Sequence, residues 1–147
     1  MQTFLPYGKN YRQNAQVLDN KRLGKQRVEN LQIINCLVGV STGWRNHPAV
    51  KMWRGYEKAL LQYQVAICDE WVKRGYKDTC LVKSAVVMTK DPVIANSLPV
   101  LPWWLDDEEV EQKVMVSHQS NLLRKLSGHY APHFPAVPND LPYHWPV

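Results

Sequence analysis

Leu18-Asp19-Asn20-Lys21-Arg22-Leu23-Gly24-Lys25-Gln26-Arg27-Val28-Glu29-Asn30 reads as the opening of an amphipathic helix. Asp19 is a candidate N-cap, and Gly39 is a plausible end after a run to about Val38. The stripe Leu23, Arg27 (through its stem), Leu31, Ile34 and Leu37 or Val38 would face a core. Arg22, Lys25, Glu29 and Gln32 recur at steps of three, four and three, which puts them on one face of a helix. After Asp19, Glu29 is the first carboxylate. A carboxylate framed by cations, close to an N-terminus, suggests chemistry on a polyanion. Spacing alone favours an ordinary solvated Lys25–Glu29 pair, worth only about a few tenths of a kcal/mol.

Outward from this helix, the pattern stays helical. Asn10 or Asn14 can start a short helical turn after an irregular Met1–Asn10. Val40 to His47 reads as a loop, and Pro48 suits a first helical turn capped by Asn46 or His47. Trp53, Tyr56, Leu60, Tyr63, Ile67 and Trp71 follow at helical spacing, so the pattern predicts one long spine from Pro48 to Arg74, closed by Gly75. Thr79 to Met88 is apolar and suits either a strand or a helix. Pro92, Pro99 and Pro102 make Asp91 to Trp104 a loop. Asp106 to Glu111 fits the acidic first turns of a helix carrying Val114, His118, Leu122 and Leu126 and ending at Gly128. The tail from His129 to Val147 should wrap the surface irregularly. The expected fold is mostly α, a compact single domain over residues 1–147 with long proline-rich loops.

The chain has 147 residues, 45% hydrophobic and 21% charged, enough for a real core. Its net charge of +5 favours an anionic partner, nucleic acid or an acidic membrane surface. Cys36, Cys68 and Cys80 form no CxxC pair, which argues against a thiolate zinc site. No signal peptide or membrane-spanning run is read, so a reducing cytoplasm is the expected location. His47, His118, His129, His133 and His144 form no HxxxH or HxH pair. His118, spaced with Leu122, reads more readily as a semi-buried histidine than as a metal ligand.

Trp44-Arg45-Asn46-His47-Pro48 sets an indole, a guanidinium and an imidazole before a helix N-terminus. It could grip a phosphate or a flipped nucleotide, or be a helix-entry loop whose Trp44 plugs the core. Trp103-Trp104 and the tail aromatics Tyr130, His133, Phe134, Tyr143, His144 and Trp145 could stack on bases, although packing suits most of them. No GxSxG, phosphate-binding glycine loop or paired acidic metal motif is present, which leaves hydrolase, triphosphatase and two-metal nuclease readings without support.

Three stretches together resemble the pyrimidine-dimer DNA glycosylase family of the endonuclease V type. They are Leu18 to Gln32, where an Asp opens a helix and a Glu follows about ten residues on; Tyr56 to Asp78, with Trp71-Val72-Lys73-Arg74-Gly75-Tyr76; and Val116 to Phe134, with Ser117, Gln119, Leu122, Lys125 and Tyr130 in a similar order. The opening Met-x-Thr-Phe-Leu-Pro and the run Trp-Arg-Asn-His-Pro are similar to bacterial members. The resemblance implies a metal-free and cofactor-free enzyme acting as a monomer on double-stranded DNA with a damaged base. Its nucleophile would be the N-terminal amine, carried by Met1 or, after processing, by Gln2. An α-amine ordinarily titrates at about 7.7–8.0, so a useful fraction is neutral at physiological pH. By matching position, Glu29 would be the catalytic carboxylate. Candidate DNA contacts are Lys21, Arg22, Lys25, Trp44, Arg45, His47, His118 and Lys125. A glycosylase for another modified base and a non-catalytic helical DNA-binding protein are the alternative readings.

Overall fold

The computed structural model describes residues 1–147 and is built of helices without strands. They are α1 (Tyr11–Val17), α2 (Asn20–Val38), α3 (Pro48–Lys51), α4 (Glu57–Lys73), α5 (Cys80–Met88), α6 (Pro92–Ala95), α7 (Trp103–Asp106), α8 (Glu108–Lys125) and α9 (Ser127–Tyr130). The mostly-α expectation holds. No helix is long and apolar enough to cross a membrane. Helix α2 packs on α4 and α5, α1 lies along α4, and α7 and α9 pack on α8.

Several local signals act as read. Asn10 caps α1 by accepting from the Gln13 N–H. Gly39 closes α2 at φ 91°, where a left-handed residue satisfies the last carbonyls. The neutral Nδ1 of His47 accepts from the Ala49 N–H and caps α3. The acidic run read as opening α8 does so from Glu108, with Glu108, Glu109 and Glu111 in its first turn, while Asp107 is its cap and Asp106 ends α7.

The long spine from Pro48 to Arg74 is not continuous. It breaks after Lys51 and restarts at Glu57, with Gly55 at φ 87° between. Glu57 folds back so that its Oε2 accepts from the Gly55 N–H at 2.7 Å. The break turns Trp53 inward, where its indole N–H donates to Thr3 Oγ1 and its ring meets Trp104 edge-on at 4.9 Å. Trp53, Leu60, Tyr63 and Ile67 are buried as expected, while Tyr56 and Trp71 are half-buried. The stretch from Thr79 to Met88 resolves as helix α5. The Asp91–Trp104 loop holds the short helices α6 and the start of α7, the first capped by the Asp91 carboxylate. Helix α8 stops at Lys125, before the Gly128 expected to end it, and leaves Leu126 exposed.

Polar residues occupy part of the α2 core face. Leu31 is only half-buried, whereas Gln26 and Asn30 are fully buried. They form an amide chain. Gln26 Nε2 donates to Asn30 Oδ1, Asn30 Nδ2 to Gln64 Oε1, and Gln64 Nε2 to Ser84 Oγ, which ties α2, α4 and α5 together. Gly24 admits the Trp71 ring, since a Cβ there would sit 2.8 Å from it. The Arg27 guanidinium lies 4.5 Å over the same ring and pairs with Asp78 at 2.5 Å.

The core surrounds the N-terminal segment, buried from Gln2 to Pro6 and running extended among the helices. Side chains take up its backbone groups. Gln26 donates to the Gln2 carbonyl at 2.7 Å and accepts from the Phe4 N–H at 3.0 Å. Tyr63 donates to the Phe4 carbonyl, His118 Nδ1 accepts from the Leu5 N–H, and Gln119 donates to the Pro6 carbonyl. Asn14 then brackets Tyr7 and Gly8.

Leu60 is wholly buried, so Leu60→Ala should cost about 2–5 kcal/mol in urea unfolding. Burial drives the His118 pKa down to about 3, with nearby His144 adding to the effect. The unfolded histidine takes a proton near pH 6.5, and the folded one does so only far lower. Stability should therefore fall as pH drops from about 6.5 towards 3, by up to about 1.4 kcal/mol per pH unit. Urea melts across that range should show this limb, and His118→Asn, which keeps an acceptor for Leu5, should flatten it.

Candidate active site

Because the N-terminal segment is pinned along its length, its first residue has a defined place. Met1 is half-buried and, with Gln2 and Phe4, lines a cavity of about 330 Å³. Helix α2 supplies Lys21, Arg22, Lys25 and Glu29, and Lys125 and Tyr143 close the far side. The fold thus brings the amine-bearing residue and Glu29 into one cavity walled by cations. Glu29 is mostly enclosed and pairs with Lys25 at 3.7 Å, while Lys25 itself is 72% exposed.

The cations differ in freedom. Arg22 is held on both sides, donating to Asp19 at 3.2 Å and to the Lys125 carbonyl at 3.5 Å. Asp19 does not cap α2 through its side chain. Instead it accepts from the Tyr130 hydroxyl at 2.5 Å and pairs with Arg22. Burial pushes the Asp19 pKa up, but the bonds from Tyr130 and Arg22 and the Arg22 charge outweigh it and hold the carboxyl below its usual range. Lys21, Lys25 and Lys125 are exposed and carry no comparable restraint.

Of the residues read from the sequence as DNA contacts, Lys21, Arg22, Lys25 and Lys125 line the cavity. Trp44 and Arg45 lie outside it on an exposed loop, with Trp44 55% exposed. His47 is half-buried at the base of that loop. Burial and the Met1 amine lower its pKa, and Glu29 opposes them, so the loop sits within electrostatic reach of the cavity. His118 is a correction. It is completely buried, spends Nδ1 on Leu5 and meets Phe4 and Tyr143 in edge-on ring contacts, so it supports the cavity wall from behind and presents no surface to DNA. Gln32 is exposed and takes no part in the wall. Gln2, Phe4 and Tyr143 are wall residues that the spacing arguments did not single out. A second groove of about 360 Å³ lies between α1 and α4, lined by Arg12, Gln16, Asp69, Glu70 and Lys73, and contains neither Met1 nor Glu29.

A family model described as pyrimidine dimer DNA glycosylase matches residues 1–84. The chain belongs to the pyrimidine dimer DNA glycosylase family. No curated protein and no solved structure matches it. The matched residues contain both Met1 and Glu29. Lys125 and Tyr143, the far side of the cavity in this member of the glycosylase family, lie beyond them.

Gln26 is the link between α2 and the segment that carries Met1. Gln26→Leu should leave the Gln2 carbonyl and the Phe4 N–H unpaired in the interior, at about 1–3 kcal/mol for each group. Amide exchange at Phe4 should accelerate well beyond the global change, and protection equal to wild type would remove Gln26 as the anchor.

Proposed function

We propose that this protein is a DNA glycosylase and abasic-site lyase that removes a damaged pyrimidine, with pyrimidine dimers as the leading substrate, and that the Met1 α-amine is its nucleophile. The observation that carries the reading is the convergence of Met1 and Glu29 in one cavity walled by Lys21, Arg22, Lys25 and Lys125. Family membership supports the substrate class. The core cluster runs from Phe4 to Phe134, which supports the whole chain acting as a single domain.

The chemistry follows from these groups. The neutral amine attacks C1′ of the damaged nucleotide. The C1′–N bond breaks, its electron pair leaves with the base, and the base takes up a proton as the amine gives one up. The sugar ring opens to a Schiff base between Met1 and C1′. This imine acidifies the C2′ proton, Glu29 assists its removal, and the electrons expel the 3′ phosphate, nicking the strand. Met1 is the better candidate than a processed Gln2, because Gln2 is buried with its carbonyl held by Gln26 and its side-chain oxygen by the Thr3 N–H. The cations hold phosphates on either side of the reacting sugar. A carboxylate among phosphate-binding cations repels DNA, which a binding module without chemistry would have no reason to keep.

Borohydride should trap a covalent adduct between the wild-type chain and abasic-site DNA, and peptide mapping should put it on residue 1. An acetylated N-terminus should abolish trapping while DNA binding persists. Glu29→Gln should bind at least as well and lose turnover by about a hundredfold or more. Full activity with a blocked amine would overturn the assignment.

A further inference from the structure

The C-terminal tail forms no helix or strand beyond α9, yet α8 fixes it on both sides of Tyr143. Ser120 Oγ accepts from the Leu141 N–H at 3.0 Å, and the Leu141 carbonyl accepts from Asn121 Nδ2 at 3.1 Å and from Arg124 at 2.9 Å. Ser117 Oγ accepts from the His144 N–H at 3.1 Å. Three rings then enclose the Tyr143 ring, with centroids at 5.5 Å for Trp145, 5.8 Å for His118 and 6.3 Å for Phe4. A side chain so confined carries its hydroxyl to one place, and Tyr143 lines the cavity of Met1 and Glu29.

That hydroxyl has no task inside the protein. The hydroxyls of Tyr63 and Tyr130 are spent on the Phe4 carbonyl and on Asp19. The Tyr143 hydroxyl makes no hydrogen bond, and it is not enclosed, whereas Gln2 Nε2 is unpartnered and enclosed. Burial pushes the Tyr143 pKa up to about 12, with Arg124 opposing and Glu29 adding to the shift, so the phenol stays protonated near neutral pH. The other donors of the cavity differ. Arg22 is committed to Asp19 and the Lys125 carbonyl, and Lys21, Lys25 and Lys125 are exposed point charges. Tyr143 is a neutral donor that the fold holds in place and leaves free. Such a donor stabilises a developing negative charge well, because nothing has to reorganise when the charge appears.

We propose that Tyr143 is a catalytic residue of the base-release step, its hydroxyl donating a hydrogen bond to the O2 carbonyl of the departing pyrimidine. The proposal rests on the glycosylase reading above and adds to it a group that serves the leaving base. As the C1′–N1 bond breaks, its electron pair goes to N1 and spreads onto O2, so the hydrogen bond strengthens toward the transition state. The phenol keeps its own proton, and the base takes the proton that the attacking amine gives up. Once the base has left, elimination at the sugar has no use for this donor. Tyr143 lies outside residues 1–84, so the tail supplies the group separately from Met1 and Glu29.

The test follows borohydride-trapped adduct under single-turnover conditions at saturating protein, on a duplex with one cyclobutane pyrimidine dimer and on the same duplex with an abasic site. Adduct on the first requires C1′–N1 cleavage, and adduct on the second does not. Tyr143→Phe keeps the ring and removes the donor. It should slow adduct formation on the dimer duplex by about a hundredfold, the low end for one lost donor at a developing charge, with a far smaller deficit on abasic DNA. Fluorine at C5 of the pyrimidine makes the ring a better leaving group and should shrink the deficit. The urea midpoint of Tyr143→Phe should stay near wild type, because the hydroxyl has no partner in the protein to lose. A wild-type rate for Tyr143→Phe on the dimer duplex, or equal losses on the two duplexes, would overturn the proposal. The wild-type chain checks the underlying reading: if it traps abasic DNA and never the dimer duplex, the glycosylase reading falls and this role falls with it.

Discussion

An extended segment cannot lie in a protein interior unless something pairs with its backbone, and here nothing in the fold offers a strand edge. An unpaired buried N–H or carbonyl costs about 1–3 kcal/mol. Gln26, Tyr63, His118, Gln119 and Asn14 remove that cost for the stretch from Gln2 to Gly8. These side chains come from α2, α4, α8 and α1, so the helices are joined through the segment they enclose. Folding and placement of the terminal amine are consequently one event. The amine cannot be put at the cavity without assembling the core, and the core cannot assemble around an absent segment.

The polar interior makes the same point from the other side. The chain from Gln26 through Asn30 and Gln64 to Ser84 is fully buried, and each amide serves as both donor and acceptor. Low local dielectric strengthens such a chain when it is complete and penalises any break in it. It fixes the rotation of α2 about its own axis. With that rotation set, Glu29 and Lys25, one turn apart, reach the cavity, and Leu23, Ile33 and Ile34 reach the core.

The electrostatics of the cavity separate into held and free charges. Arg22 is clamped between Asp19 and the Lys125 carbonyl, so its planar fork is held in one orientation. Lys25, mostly in solvent, is a mobile point charge. In the proposed DNA-directed function, the held arginine sets direction and the free lysines supply attraction. Tyr130 takes part in this from outside the family-matched residues by bonding Asp19, as do Lys125 and Tyr143 in the wall.

Local signals in the chain were enough for the helical class, for the start of α1 and both ends of α2, and for the face of α2 on which Arg22, Lys25 and Glu29 align. Caps, left-handed glycines and three-to-four spacing act within a few residues, so they survive in sequence. The break between Lys51 and Glu57 was hidden because Trp53 keeps helical spacing with Tyr56 and Leu60. At the break Gly55 is left-handed, Glu57 accepts from its N–H, and Trp53 contacts Thr3 and Trp104, all of them tertiary or turn features that helical spacing does not carry. His118 misled for a related reason: its partner Leu5 lies 113 residues away, and no local pattern distinguishes a buried acceptor from a surface one. The sequence by itself determined which residues could be helical and which charges share a helix face. Tertiary structure alone decided that Met1 and Glu29 would line one cavity, that Gln2, Phe4 and Tyr143 would share its wall, and that an amide on α2 would hold the N-terminal segment in place. Those contacts join residues far apart in the chain, and their energies depend on burial that no single segment possesses.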